Sequence, residues 1–117
     1  MTNVEIERVV RDFKSTMGLL LTEKPETANS LLNLIGSIHK DGALSVKEKE
    51  LVSLGISICI GCETCIVLHT RSALEAGATR REIVEVFGVA TALKGSSVVG
   101  DIRKSVEVLN KLSSRRS

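Results

Sequence analysis

At Thr2/Glu5, Ser45/Glu48 and Thr79/Glu82 a Thr or Ser is followed three residues later by Glu. Each pair has the spacing of a capping box, in which the hydroxyl and the carboxylate satisfy backbone N–H groups left free at a helix start. Behind each, aliphatic residues return every three or four positions, which commits the chain to amphipathic helices packed on one another. Ile6, Val9, Val10, Phe13, Met17, Leu20 and Leu21 mark the first helix. Pro25 opens a second through Leu31, Leu32, Ile35 and Ile38, which stops at Lys40-Asp41-Gly42. Leu51, Val52, Leu54, Ile56 and Ile58 belong to a third, and residues 62–76, ending before Gly77, to a fourth. Ile83, Val86, Phe87, Ala90 and Leu93 define a fifth, and beyond Gly95-Ser96-Ser97 come Ile102, Val106 and Leu109. The Ile-rich SLGISICI has strand-like composition but no clear two-residue alternation. The expectation is an all-α bundle of about six helices, one domain over residues 1–112, with a flexible tail at 113–117.

Aromatic residues make up only 2% of the chain, Phe13 and Phe87, so the core must come from Leu, Ile, Val and Ala. Sixteen basic and 14 acidic residues are mixed along the sequence for a net +2, which is not the dense positive field that nucleic acid requires. MTNVEIERVVRDF lacks the basic start and apolar run of a signal peptide, and no stretch is expected to approach the roughly 18 apolar residues of a membrane span. A cytoplasmic protein is expected, and in a reducing compartment its three cysteines point to catalysis or metal before structural bridges. Gly88, Ala90, Ala92, Gly95 and Gly100 cluster late and permit close helix approach, within one subunit or between subunits.

The chemistry concentrates in CIGCETCIVLH, residues 59–69, which holds all three cysteines and one of the two histidines. Cys62 and Cys65 stand three apart, so on a helix both sulfurs share a face within reach of a disulfide. If Gly61 precedes the helix, Cys62 lies in its first turn, where free N–H groups favour a thiolate. His69 follows Cys65 by four residues on the same face and can exchange a proton with it. Along one unbroken helix Glu50 would lie about 18 Å from Cys62. A reversal near Gly61 instead sets Glu50 opposite the turn carrying His69, and a Glu50, His69, Cys65 relay becomes reasonable. Taken alone, Glu50 reads as a solvated residue near Lys47. Cys59, Cys62, Cys65 and His69 are also four zinc-type ligands, but one short helical segment cannot easily surround a tetrahedral ion, so no metal or cofactor is expected. Cys59 reads as a small buried hydrophobe. His39 reads as a complement to the dipole at a helix C-terminus, and Arg80, Arg81, Arg103 and Lys104 as surface.

Glu50, eleven residues, Cys62-Glu63-Thr64-Cys65, three residues and His69 together resemble the signature of AhpD-like alkylhydroperoxidases of the carboxymuconolactone decarboxylase superfamily. The likeness extends over residues 42–86. It implies an AhpD-like helical fold in a homo-oligomer, trimeric or hexameric, with Cys62 and Cys65 as redox couple and Glu50 and His69 as proton relay. It further implies reduction of hydroperoxides or of a partner peroxiredoxin, with electrons from a lipoyl-type dithiol. Some members carry a second histidine between the cysteines, where this chain has Thr64, which cannot titrate. Cys65, with His69 as its nearest base, is the favoured attacking thiol. The alternatives are a muconolactone-type decarboxylase, which has no evident use for a dithiol, and a non-catalytic helical assembly protein.

Overall fold

The computed structural model describes residues 3–113, with side chains from residue 5 to 112. Six α-helices follow in order: α1 (Asn3–Glu23), α2 (Pro25–Ile38), α3 (Val46–Ile60), α4 (Glu63–Glu75), α5 (Arg80–Lys94) and α6 (Val99–Ser113). A 3-10 turn, Gly95–Val98, follows α5 and runs directly into α6, so counted as continuous helical stretches of chain there are five. No strand occurs among the described residues, SLGISICI included. Thr2 of the Thr2/Glu5 pair lies outside the described residues, as do residues 114–117 of the expected tail, whose first residue, Ser113, ends α6.

The two other capping boxes close as their spacing requires. The Ser45 hydroxyl accepts from the Glu48 N–H while Glu48 Oε1 accepts from the Ser45 N–H at 2.8 Å, and Thr79 and Glu82 repeat the pattern at 2.8 Å. These backbone bonds hold the carboxyls of Glu48 and Glu82 below their ordinary value of 4.5, with Lys47 assisting at both; for Glu82 it does so through a 2.9 Å ion pair. Gly61 ends α3 at φ +79°, and Gly77 turns the chain after α4 at φ +96°, a left-handed geometry that costs a side chain strain.

The core lies where α3, α4, α5 and α6 meet, built on Leu54, Ile58, Ile66, Ile83 and Leu109, each fully buried. Its one large ring is Phe87. A second cluster, Ile6, Val9, Val67 and Val108, fastens the start of α1 onto α4 and α6. Inside the core, Thr70 and Ser105 share a 2.8 Å hydrogen bond that ties α4 to α6, and Thr70 also donates to the Ile66 carbonyl, so neither buried hydroxyl is left unmet.

Two regions keep apolar side chains on the outside. Helix α2 buries only Ala28 and exposes Leu31, Leu32, Leu34, Ile35 and Ile38. Between α3 and α5 an open apolar groove of about 590 Å3 is lined by Leu51, Val52, Ile56, Cys59, Val89 and Leu93. The expectation that no stretch approaches a membrane span needs correcting. Arg80–Leu112 reaches a mean hydropathy of 1.4 over a sufficient length. It is interrupted by Gly95 at φ +81°, and its Ile83, Phe87, Val98 and Leu109 are buried within the bundle.

Replacing fully buried Leu54 with Ala should lower the unfolding free energy by about 2–5 kcal/mol, measured by urea titration. The caps carry a pH signature. A carboxyl held low in the folded state adds stability that is fully present above its ordinary value of 4.5 and is lost as pH falls through the folded value. The melting temperature of the wild type should therefore exceed that of a Glu48→Gln/Glu82→Gln variant at about pH 6, with the gap closing below about pH 4.5. A gap independent of pH would mean that the caps act as neutral hydrogen bonds.

Candidate functional site

The site is made by the reversal between α3 and α4. Ser57 carries the carbonyl that accepts both the Gly61 N–H at 2.9 Å and the Cys62 N–H at 3.2 Å, closing the end of α3. The chain then turns, and Cys62 becomes the N-cap of α4 with extended backbone, not a residue of its first turn as the sequence suggested. Its Sγ accepts from the Cys65 N–H at 3.3 Å, the service a Ser or Asp oxygen usually performs at this position. Cys62 and Cys65 are joined as a disulfide with their Cα atoms 5.3 Å apart, and both residues are half-buried. Cys59 is a free thiol near the end of α3, where it lines the apolar groove.

With α3 and α4 packed side by side, Glu50 and His69 meet: Nδ1 of His69 lies 2.8 Å from Oε2 of Glu50. Glu50 is not a solvated helix residue. It is 7% exposed and makes no pair with Lys47, which reaches across to Glu82. A carboxylate taken this far from water requires partners, and the second one was not foreseen. His39, at the C-cap of α2, places its Nδ1 2.9 Å from Oε1 of Glu50. The N–H direction there falls outside hydrogen-bond alignment, so the contact is one of charge and dipole, and this Nδ1 is buried with no other polar partner. The His39 and His69 rings lie nearly parallel, 14° apart in plane and 6.1 Å between centres.

The end of α2 is brought to the site by the residue before Glu50. Nζ of Lys49 donates to the carbonyls of Ile38 at 2.9 Å and Lys40 at 2.7 Å, gripping the last turn of α2 from α3. The Val46 N–H donates to Asp41 Oδ1 at 2.9 Å and tightens the connection. The structure thus brings Glu50 on α3 against His69 on α4, joins Cys62 to Cys65 at the start of α4, adds His39 from the end of α2, and puts Cys59 on the apolar groove instead. No group of three or more His, Cys, Asp or Glu side chains among the described residues is arranged to hold a metal ion. Arg80 bonds to Asn110, and Lys104 pairs with Asp101, so both act at the surface.

Fold and site together define a class. The chain matches the carboxymuconolactone decarboxylase family over residues 25–106. It therefore belongs to that family, as an AhpD-like member of the superfamily. Its fold superposes on a carboxymuconolactone decarboxylase family protein from Legionella pneumophila with a TM-score of 0.89, at 26% identity, covering 93% of this chain and 97% of that one. An uncharacterised protein of Cupriavidus necator is 24% identical over 91 residues, 78% of this chain and 80% of its own length. The alkyl hydroperoxide reductase AhpD of Coxiella burnetii is 33% identical over 70 residues, 60% of this chain but only 40% of that protein.

Mass-resolved alkylation should read the arrangement directly. The oxidised, denatured chain should take one label, on Cys59, and the reduced chain three. Three labels before reduction would mean that the Cys62–Cys65 bond is not the resting state.

Proposed function

We propose that this chain is a thiol-dependent peroxidase and disulfide oxidoreductase that cycles Cys62 and Cys65 between dithiol and disulfide. One observation carries the reading: the Cys62–Cys65 bond sits at the start of α4, one helical turn from a histidine engaged by a buried carboxylate. Free N–H groups at the helix start stabilise negative charge on sulfur. Glu50, accepting from Nδ1–H of His69, leaves Nε2 as the nitrogen that exchanges protons with the thiols.

In the oxidative half, the Cys65 thiolate attacks the terminal oxygen of a hydroperoxide. The S–O bond forms, the O–O bond breaks, and the departing alkoxide takes a proton by way of His69. The Cys62 thiolate then displaces hydroxide from the sulfenic sulfur, which leaves as water after protonation. The sum is dithiol plus ROOH giving disulfide, ROH and water, a two-electron oxidation of the protein. In the reductive half, a lipoyl-type dithiol attacks the disulfide, passes through a mixed disulfide, and leaves as its own cyclic disulfide. A peroxiredoxin disulfide can take the two electrons in place of the peroxide. Thr64 between the cysteines supplies no proton, so His69 is the one imidazole of this helix available for both halves.

The same reading places the protein in the cytoplasm, where a dithiol can be kept reduced, and in a homo-oligomer, trimeric or hexameric. The oligomer is supported by the apolar face of α2 and the groove between α3 and α5, which leave large aliphatic side chains in water that a second copy could cover. A decarboxylase reading makes no use of the dithiol, and it is the one under which activity would survive replacement of both cysteines by Ser.

Stoichiometric cumene hydroperoxide should convert the reduced chain to one intramolecular disulfide, and dihydrolipoamide should reverse it. Cys65→Ser should abolish oxidation by peroxide, while Cys62→Ser should stall at a sulfenic acid trapped by dimedone. Thiols left untouched by peroxide, with a disulfide that dihydrolipoamide does not reduce, would end the proposal.

A further inference from the structure

Glu50 presents two oxygens, and the relay described above uses one. The other, Oε1, faces His39 Nδ1 at 2.9 Å. We propose that His39 is a positioning residue of this site: it holds Oε1 of Glu50, so that Oε2 stays directed at Nδ1 of His69 and His69 keeps Nε2 free for proton exchange with the cysteine sulfurs. The inference rests on the thiol chemistry proposed for the site.

The chemistry of the three groups leads to this assignment. An ionised carboxylate only accepts, so a nitrogen in contact with it must present N–H. The two Nδ1 atoms face opposite oxygens at 2.8 and 2.9 Å, His69 in a hydrogen bond and His39 in a charge and dipole contact, and both contacts favour the ring form that carries its proton on Nδ1. With one oxygen unmet, a nearly buried carboxylate would turn toward water or toward another donor, and the tautomer of His69 would no longer be fixed. His39 meets that oxygen from a different element. Because it faces Oε1 and His69 faces Oε2, the two rings do not compete for one oxygen.

A helix-capping role alone does not account for this placement. The end of α2 is already closed by the His39 N–H on the Ile35 carbonyl at 3.0 Å and by Lys49 on the carbonyls of Ile38 and Lys40. The His39 ring adds nothing to those bonds. Its buried Nδ1 has Glu50 as its polar neighbour, and Lys49 and Glu50, adjacent on α3, hold the backbone and the ring of the same turn.

The chain has two histidines, so nitrogen-15 NMR can read each imidazole without crowding. The variants are His39→Ala, which removes the ring, and His39→Asn, whose side-chain amide can return an N–H donor near the position of Nδ1. The tautomer is read on the oxidised protein, and the reactivity of the disulfide with dithiothreitol, so neither needs a physiological substrate. In wild type and in His39→Asn, His69 should carry its proton on Nδ1. In His39→Ala a population protonated on Nε2 should appear, and exchange with dithiothreitol should slow by about ten- to a hundredfold, with His39→Asn recovering to within about threefold of wild type. An unchanged His69 tautomer in His39→Ala overturns the assignment, whatever the rate does. So does a slow rate that His39→Asn fails to restore in a folded protein. Should peroxide fail to oxidise the wild type, the peroxidase reading falls while the tautomer result still decides the role of His39.

Discussion

The carboxylate of Glu50 is the constraint around which the site is built. Leaving a charge with 7% exposure and no partner would cost several kcal/mol, roughly what a small domain has to spare. The fold meets the demand with two imidazoles on two different elements, His69 on α4 and His39 at the end of α2. Each is delivered by a separate turn. Gly61, at positive φ, lets α3 reverse so that the middle of α4 lies beside the start of α3. Asp41 and Lys49 draw the end of α2 onto the same start. Disturbing either turn removes a partner from the buried charge, so local backbone geometry and site electrostatics are coupled.

The reversal at Gly61 also explains where the Cys62–Cys65 pair stands. A disulfide between residues three apart needs the first cysteine at the edge of the helix or within it, and here Cys62 sits at the edge, with extended backbone. The sulfur at the N-cap accepts the Cys65 N–H, and the remaining free N–H groups of the first turn favour negative charge there. Oxidised, the pair ties the cap to the first turn. In the cycle proposed above, the same N–H groups would stabilise the thiolate of the reduced pair. Both states thus draw on one feature of helix ends.

Much of this was legible in the sequence because it depends on local chemistry. Ser45/Glu48 and Thr79/Glu82 announce two helix starts, and Gly61 and Gly77 two reversals, since each signal acts within a few residues of itself. The meeting of Glu50 and His69 followed from one further step, that two helices joined by a short turn run antiparallel. His39 was not legible. No spacing rule links it to Glu50, because the connection passes through an irregular loop whose shape is set by Asp41 and by the reach of Lys49. Near a helix end, its dipole role was the simpler local explanation. The position of Cys62 outside the helix turned on one residue of backbone conformation, which helical periodicity does not resolve. The hydropathy of Arg80–Leu112 was hidden because Gly95 divides it into two segments that each look like ordinary core helices.

The same comparison of magnitudes bears on what holds α2 in place. Within one subunit the end of α2 is gripped by Lys49 through two exposed hydrogen bonds, each worth on the order of 1 kcal/mol, and the helix buries only Ala28. Its exposed face carries five large aliphatic side chains, already about half covered on average, and burying what remains of all five would contribute about 4–7 kcal/mol. The larger reservoir of binding energy on α2 therefore points away from the subunit that carries it. In the homo-oligomer proposed above, whatever covers that face also fixes the helix end bearing His39, and through it the second oxygen of Glu50. Assembly and the geometry of the relay would then be linked through one short helix, although no residue of the relay need touch a neighbouring subunit.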